Sequence, residues 1–455
     1  MSSDSVTAPR RLAGWFAVGV LLAAYSISFL DRLILTLIVQ PLKADLGISD
    51  TQFGLLQGPA FALFYATMGL PLGWLADRVN RVRLMALAIL FWSLMTFLSG
   101  LATDYWHLLI CRFGVGFGEA ALVPAAVSLL ADLFPPQRRA LPVSVFTAGL
   151  AVGSGLALYL GGSFIAFAEQ GATGLPLIGP FFEGRAPWHI VLMLAGLVGV
   201  PVAALVLTLD EPRVRAPSRT GVDSVAEPTQ GDGATLAAAW THLKAQRAFF
   251  LPMLASMGVL FVISTSMSAW LPQVFIRDHG WSPVHAGQTL GPVILFGALI
   301  GNFASGALAT AQGKAGRDDA VLRTMFQGAC VLVPAAIGIG LFASPQFALA
   351  MVGVAFLALG VTFGIASLAF VEVTPPRLRG QVVALYLLIG NLVGLALGPT
   401  GVGALLDSGW SWVTGVGAAL AATCLAAGVP GLYWLWRSWR RFTAAKASPA
   451  ASAAR

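Results

Sequence analysis

Four ionisable side chains sit where an apolar chain tolerates them least. Asp31 and Arg32 lie in YSISFLDRLIL (25–35), and Arg112 and Glu119 in CRFGVGFGEA (111–120). A charge at the centre of a bilayer costs at least ~2.5–3.5 kcal/mol on insertion scales, so four charges in two apolar segments imply a hydrated cavity, mutual pairing, or both. Arg112 and Glu119 are nearly two helical turns apart and share a face, about 10 Å apart along the axis. Asp31 and Arg32 are adjacent and point about 100° apart, so only one faces straight into a cavity while the other meets a neighbouring helix. Burial favours a neutral carboxyl group and a nearby guanidinium favours a charged one. Asp31 and Glu119 are therefore the expected proton carriers, and Arg32 and Arg112 the expected holders of an anionic headgroup, with Tyr25, N-terminal to them on the first helix, also expected at the substrate. The same four charges are also compatible with salt bridges that only lock two helices together.

The elements that must position these residues follow from composition. The chain has 455 residues, 57% hydrophobic and 10% charged, where soluble domains carry about 25% charged residues. Lipid must solvate much of this surface. Apolar runs predict twelve helices near 14–41, 51–76, 82–102, 105–133, 140–168, 188–209, 247–276, 284–310, 320–343, 347–373, 379–406 and 411–436. The first run is too long for a cleavable signal and reads as helix 1. Loops on the side of the termini hold 22 of the 27 Lys and Arg, whereas the opposite loops hold Lys43, Arg185 and Arg277. The net charge of +7 is thus a topology signal that places both termini in the cytoplasm, with no nucleic-acid partner implied. Cys111, Cys330 and Cys424 lie in apolar runs and read as small packing residues, without a disulfide framework or metal site.

Residues 210–246 interrupt the apolar pattern as a polar linker, its tail Leu236 to Gln246 reading as a short amphipathic helix. Domains are expected at 1–209 and 247–455, six helices each. The halves repeat: GISDTQFG (47–54) matches GWSPVHAG (280–287), Gly58-Pro59 falls on Gly291-Pro292, and ADLFPPQRRA (131–140) matches VEVTPPRLRG (371–380). Parallel six-helix repeats belong to a transporter architecture with a substrate cavity near the bilayer midplane. Carried across, Asp31, Arg32, Arg112 and Glu119 fall on Ser264, Thr265, Val352 and Leu359. The buried ionisable chemistry belongs to one half alone.

Around that cluster, Ser264, Ser268, Thr362, Tyr386 and Asn391 are expected to line the second half of the cavity, although each is weak evidence because Ser and Thr often bond their own helix. Asp77 and Arg78, in GWLADRVNR (73–81), suggest an inter-half latch or a plain basic loop. Asp132 with Arg138 and Arg139, and Glu372 with Arg377, are repeat-related candidates for gating pairs at helix ends, or simple helix-end charge. Helix 5 carries Gly149, Gly153, Gly155, Gly161 and Gly162, which permit close crossing or a bend.

GWLADRVNR and CRFGVGFGEA resemble the helix 2–3 and helix 4 signatures of the major facilitator superfamily. YSISFLDRLIL, RFGVGFGEA and LADLFPPQRRA are similar to its spinster-like branch, whose members carry an Asp-Arg pair in helix 1 and a Glu after the helix 4 Arg, here Asp31, Arg32 and Glu119. The resemblance implies a multi-pass protein of the inner (plasma) membrane, all-α, in two pseudo-symmetric bundles. It also implies alternating-access, proton-coupled movement of an amphiphilic lysophospholipid- or sphingosine-phosphate-like substrate. The chain departs from the drug–proton antiporters in helix 5, where Gly153-Ser154-Gly155 stands in place of Gly-Pro, and the second helix 8–9 signature carries Thr310 instead of Asp. The Asp-Arg pair also occurs in organic-anion symporters, so a proton symporter of a small organic anion or sugar acid stands as the alternative. No catalytic motif, metal cluster or phosphate loop is legible, so neither enzyme activity nor a cofactor is expected. The chain is expected to act as a monomer.

Overall fold

A computed structural model of the chain describes residues 8–135, 138–170, 182, 184–212 and 236–446. Most of the expected linker lies outside them, but its tail forms the anticipated short helix, Leu236–Ala245. The membrane-spanning segments are numbered α1 to α12. They are α1 Ala8–Leu33, α2 in two pieces (Asp50–Gln57 and Pro59–Ala76), α3 Arg81–Ser99, α4 (Tyr105–Glu119 and Leu122–Leu133), α5 (Ala140–Thr147 and Gly149–Glu169) and α6 Pro187–Leu207. The remainder are α7 Arg247–Gln273, α8 Pro283–Lys314, α9 Ala320–Leu341, α10 (Pro345–Phe363 and Ala366–Val373), α11 Arg379–Asp407 and α12 Val416–Lys446. Eleven spans among the described residues are long and apolar enough to cross a bilayer. Segment α2, broken at Gly58, supplies the twelfth. The chain is an all-α, multi-pass membrane protein.

Local chemistry sets many helix ends. Ser49 and Gln52 form a reciprocal capping box at the start of α2. Asn80 accepts the Arg83 amide at α3, and Asp104 the His107 amide at α4. Pro187 and Pro345 open α6 and α10, where no amide donor is missed. Helix α12 begins later than expected because the Asp278 carboxylate accepts the Val416 and Gly417 amides, at 3.1 and 2.6 Å. It also runs ten residues past its expected end near 436. There the Trp439 indole donates to Asp319 (2.8 Å) and Lys446 to Glu372 (2.7 Å).

Contacts divide the chain into two compact units, Met1–Ser218 with Gly280–Leu295, and Arg219–His279 with Phe296–Arg455. The stretch 280–295 clusters with the first unit because it meets α5 backbone to backbone. A Cβ added to Gly291 would lie 2.6 Å from the Gly155 carbonyl oxygen, and one on Gly287 would lie 2.5 Å from that of Leu158. Helix α5 thus uses its glycines for close approach. In the second unit α7 packs on α11 and α12, and α9 on α10 and α12.

Two differences in backbone between the repeats lie beside the charged residues. Gly58-Pro59 breaks α2, whereas Gly291-Pro292 sits inside the continuous α8. Helix α1 ends at Leu33 and passes into a tighter 3₁₀ turn, Ile34–Thr36, whereas α7 runs unbroken through its matching residues.

Candidate functional site

Each helix break leaves carbonyl groups with no intrahelical donor, and in a membrane such groups must be satisfied by protein. Arg112 of α4 supplies the donors. Its Nη1 donates to the Asp31 carbonyl oxygen at 3.0 Å, its Nη2 to Gln57 Oε1 at 3.3 Å and its Nε to the Leu56 carbonyl oxygen at 3.5 Å. Gln57 Nε2 donates in turn to the Arg32 carbonyl oxygen at 3.0 Å. One buried guanidinium therefore caps the unwound ends of both α1 and α2. In the second half of the sequence the matching residue is Val352, which has no donor, and α7 and α8 run unbroken at the positions that match these breaks.

Arg32 occupies a different environment. Its side chain is 21% exposed and that of Glu119 1%. Nε donates to Glu119 Oε2 at 2.6 Å, and Nη2 bonds the same oxygen. Three aromatic rings surround the guanidinium: Phe29 (4.9 Å to the centroid), Phe61 (4.3 Å) and Tyr65 (5.1 Å). Tyr25 continues this wall, stacked on Phe146 at 5.1 Å and edge-on to Phe29 at 5.4 Å. Asp31 is the partner that turns inward. It is buried and makes no ion pair among the described residues, and its Oδ1 has no hydrogen-bond partner there. Glu119 Oε1 is buried and unpartnered likewise. The expected split within the Asp31-Arg32 pair is observed, with the arginine on the open side.

The structure thus brings Asp31, Arg32, Arg112 and Glu119 together in the first unit, with Tyr25 alongside. Arg112, expected to hold a headgroup, directs its three polar contacts to helix ends and Gln57. Among the second-half candidates, Thr362 is fully buried, bonds the Ala358 carbonyl oxygen of its own helix (2.7 Å) and packs against Gly328. Tyr386 is buried and stacked on Phe370 at 4.7 Å. Both are packing residues, not cavity lining. Ser268 and Asn391 bond carbonyls of their own helices, Ser264 and Leu387, at 2.9 Å each. Ser264 is half-buried on the same helix as Ser268.

The gating pairs are also rearranged. Asp132 pairs with Arg81 of α3 (2.6 Å). Arg81 is fully buried and also grips Glu211, through Nη2 to Oε1 at 2.5 Å and its own amide to Oε2 at 2.8 Å. Arg139 instead caps α4 by donating to the Phe134 carbonyl oxygen (2.9 Å), and its repeat equivalent Arg379 does the same at α10 with Thr374 (3.1 Å). Glu372 pairs with Lys446, whereas Arg377 is exposed. Asp77 and Arg78 are exposed, with Arg78 lying 3.9 Å over the Trp74 ring. A cavity of about 210 Å³ lined by Asn80, Arg83, Asp210 and Glu211 adjoins the Arg81 cluster and none of the expected substrate residues.

Sequence reasoning missed Gln57, Phe61, Tyr65, Glu211 and Lys446, and treated Arg81 as a topology charge. Phe61 and Tyr65 are four residues apart, a signal for one helix face. Gln57 stands directly before the Gly58-Pro59 break, where a polar side chain can serve freed carbonyls.

A model described as Major Facilitator Superfamily matches residues 21–399. An "MFS-type efflux pump" of Mycolicibacterium smegmatis is 28% identical over 406 residues, 88% of this chain and 86% of that protein. The "Sphingosine-1-phosphate transporter SPNS2" of Danio rerio is 26% identical over 57% of this chain, and the match spans less than half, 47%, of that protein. Among solved structures, a bacterial homolog of the human lysosomal transporter Spinster, inward-facing and unoccupied, is 27% identical. Its TM-score is 0.79, with 96% of this chain and 99% of that one covered.

Proposed function

The chain belongs to the Major Facilitator Superfamily, is a spinster-like transporter rather than an enzyme, and from that premise we propose that it moves an anionic or zwitterionic amphiphile by proton-coupled alternating access. The observation that carries this reading is the half-open, aromatic-walled Arg32 guanidinium held by a fully buried Glu119. An anionic headgroup arriving at Arg32 competes with the Glu119 carboxylate for the same donors. Displaced into its buried position, a charged Glu119 carries a large desolvation cost, which one proton removes. Substrate and proton therefore load together. The aromatic rings suit an apolar tail adjoining the headgroup. The first six helices (1–209) and the last six (247–455) are the moving bodies, joined by residues 210–246, and the basic loops place both termini in the cytoplasm of an inner-membrane protein. The protein acts as a monomer.

The test is flux of a fluorescent lysophosphatidate in proteoliposomes, with and without an imposed pH gradient. Wild-type flux is stimulated by the gradient, and Asp31→Asn and Glu119→Gln each lose the stimulation. Full stimulation in both variants contradicts the assignment. A second reading, proton-exchanging export, draws support from the name of the mycobacterial relative. It requires substrate and proton to compete, not load together.

A further inference from the structure

The two carboxyl groups do not share an arginine directly: Glu119 lies on Arg32, whereas Asp31 makes no ion pair among the described residues. Helix α3 carries Trp92 and Thr96 one turn apart on one face. The Thr96 hydroxyl lies beside the Asp31 carboxyl, outside strict hydrogen-bond geometry, and Glu119 acts electrostatically on the same carboxyl. One turn back on the same face, Trp92 packs against the residue before Glu119, since a Cβ on Gly118 would lie 2.9 Å from the Trp92 Cβ. Trp92 is fully buried and Thr96 2% exposed. Four polar atoms, Asp31 Oδ1, Thr96 Oγ1, Trp92 Nε1 and Glu119 Oε1, are all buried and unpartnered among the described residues.

Each unmatched buried polar atom costs about 1–3 kcal/mol, and native structures place ordered water at such groups when two to four of them converge. The chemistry of the four is complementary. The carboxyl oxygens accept and release protons, the hydroxyl accepts one proton while giving another, and the indole N–H only donates. We propose that Trp92 and Thr96 form a hydrated proton relay linking Glu119 to Asp31 across α3, with Trp92 anchoring water and Thr96 passing the proton. In one transfer Glu119 releases its proton to a water molecule. That water passes a proton to Thr96 Oγ1, the hydroxyl gives its own proton to the Asp31 carboxylate, and one negative charge moves from Asp31 to Glu119, where Arg32 receives it. No oxidant or further reactant is needed. The relay rests on the proposed proton coupling, and it adds two uncharged residues to the machinery.

The experiment reads protons directly and needs no transported substrate. Infrared spectra of purified protein in lipid resolve the carboxylic C=O bands, assigned with Asp31→Asn and Glu119→Gln, and hydrogen–deuterium exchange of each band is timed after transfer to D2O. Thr96→Val is expected to slow exchange at Asp31 at least tenfold, Thr96→Ser to restore it, and Trp92→Phe to slow it to a smaller extent. Circular dichroism and thermal melting identify any variant that fails to fold, and the Ser and Phe variants then carry the test. Unchanged exchange at Asp31 in both Thr96→Val and Trp92→Phe overturns the relay. So does a carboxyl shift on replacing choline chloride with NaCl at fixed pH, which assigns the oxygens to a cation. Loss of the transport reading alone, with no lysophosphatidate flux in wild type, leaves these spectra unaffected.

Discussion

Replacing Arg112 by Lys separates a positioning arginine from a binding one. Arg112 donates at 3.0, 3.3 and 3.5 Å to the Asp31 carbonyl, Gln57 and the Leu56 carbonyl. Hydrogen bonds from a charged donor contribute about 1.5–3 kcal/mol each in soluble proteins, whereas inter-helix bonds in a membrane average about 0.6 and reach about 1.7 kcal/mol. Lysine keeps the charge but offers a single point of donation, so the two longer contacts are lost. The expected destabilisation is about 1–3 kcal/mol, roughly a 5- to 150-fold shift in the unfolding equilibrium. Thermal unfolding in detergent, run beside lysophosphatidate binding on the same samples, measures both effects. Arg112→Lys should unfold earlier while its folded fraction binds normally, and Arg32→Lys should weaken binding with little change in stability. An Arg112→Lys protein of full stability that no longer binds refutes the capping role and returns Arg112 to the headgroup.

Three further outcomes test other parts of the structure. Arg81→Met leaves Glu211 buried without its cation and should cost about 3–5 kcal/mol in the same unfolding assay; a loss under about 1 kcal/mol makes the cluster an ordinary surface pair. Gly116→Val puts a side chain where a Cβ would already lie 2.6 Å from the Phe61 carbonyl oxygen, so α2 and α4 should separate and fluorescence-monitored yield of folded protein should fall sharply, with wild-type yield disproving the contact. His242, outside the membrane spans, is pushed below its ordinary 6.5 by burial, against a smaller upward pull from the Val373 backbone. The folded state then binds its proton less readily than the unfolded one, so the helix 236–245 is fully held above the ordinary value and loosens as pH falls below about 6.5. Amide exchange in this helix, corrected for intrinsic rates, should accelerate between about pH 7.5 and 5.5 in wild type and not in His242→Phe.

Apolar run length revealed the helices, and the charges in YSISFLDRLIL and CRFGVGFGEA marked the ionisable cluster, because both signals are strong against a lipid background. The helix breaks after Leu33 and at Gly58 were not legible as breaks, since Gly-Pro occurs at both repeat positions and only one opens. The open ends meet a donor more than fifty residues away, Arg112, and pairing at that distance leaves no periodic trace. For the same reason the pairing of Asp132 with Arg81, 51 residues away, was not legible. Thr362 and Tyr386 misled because a polar atom on an apolar helix marks a cavity only if it points there, and theirs point into packing.

In the proposed cycle Glu119 and an anionic headgroup exchange places at Arg32, and calorimetry of lysophosphatidate binding in buffers of different ionisation enthalpy measures that exchange directly. Wild-type protein should take up about one proton per ligand bound near neutral pH, and Glu119→Gln should take up none while still binding. Proton release by the wild type, or equal uptake in both proteins, contradicts the account.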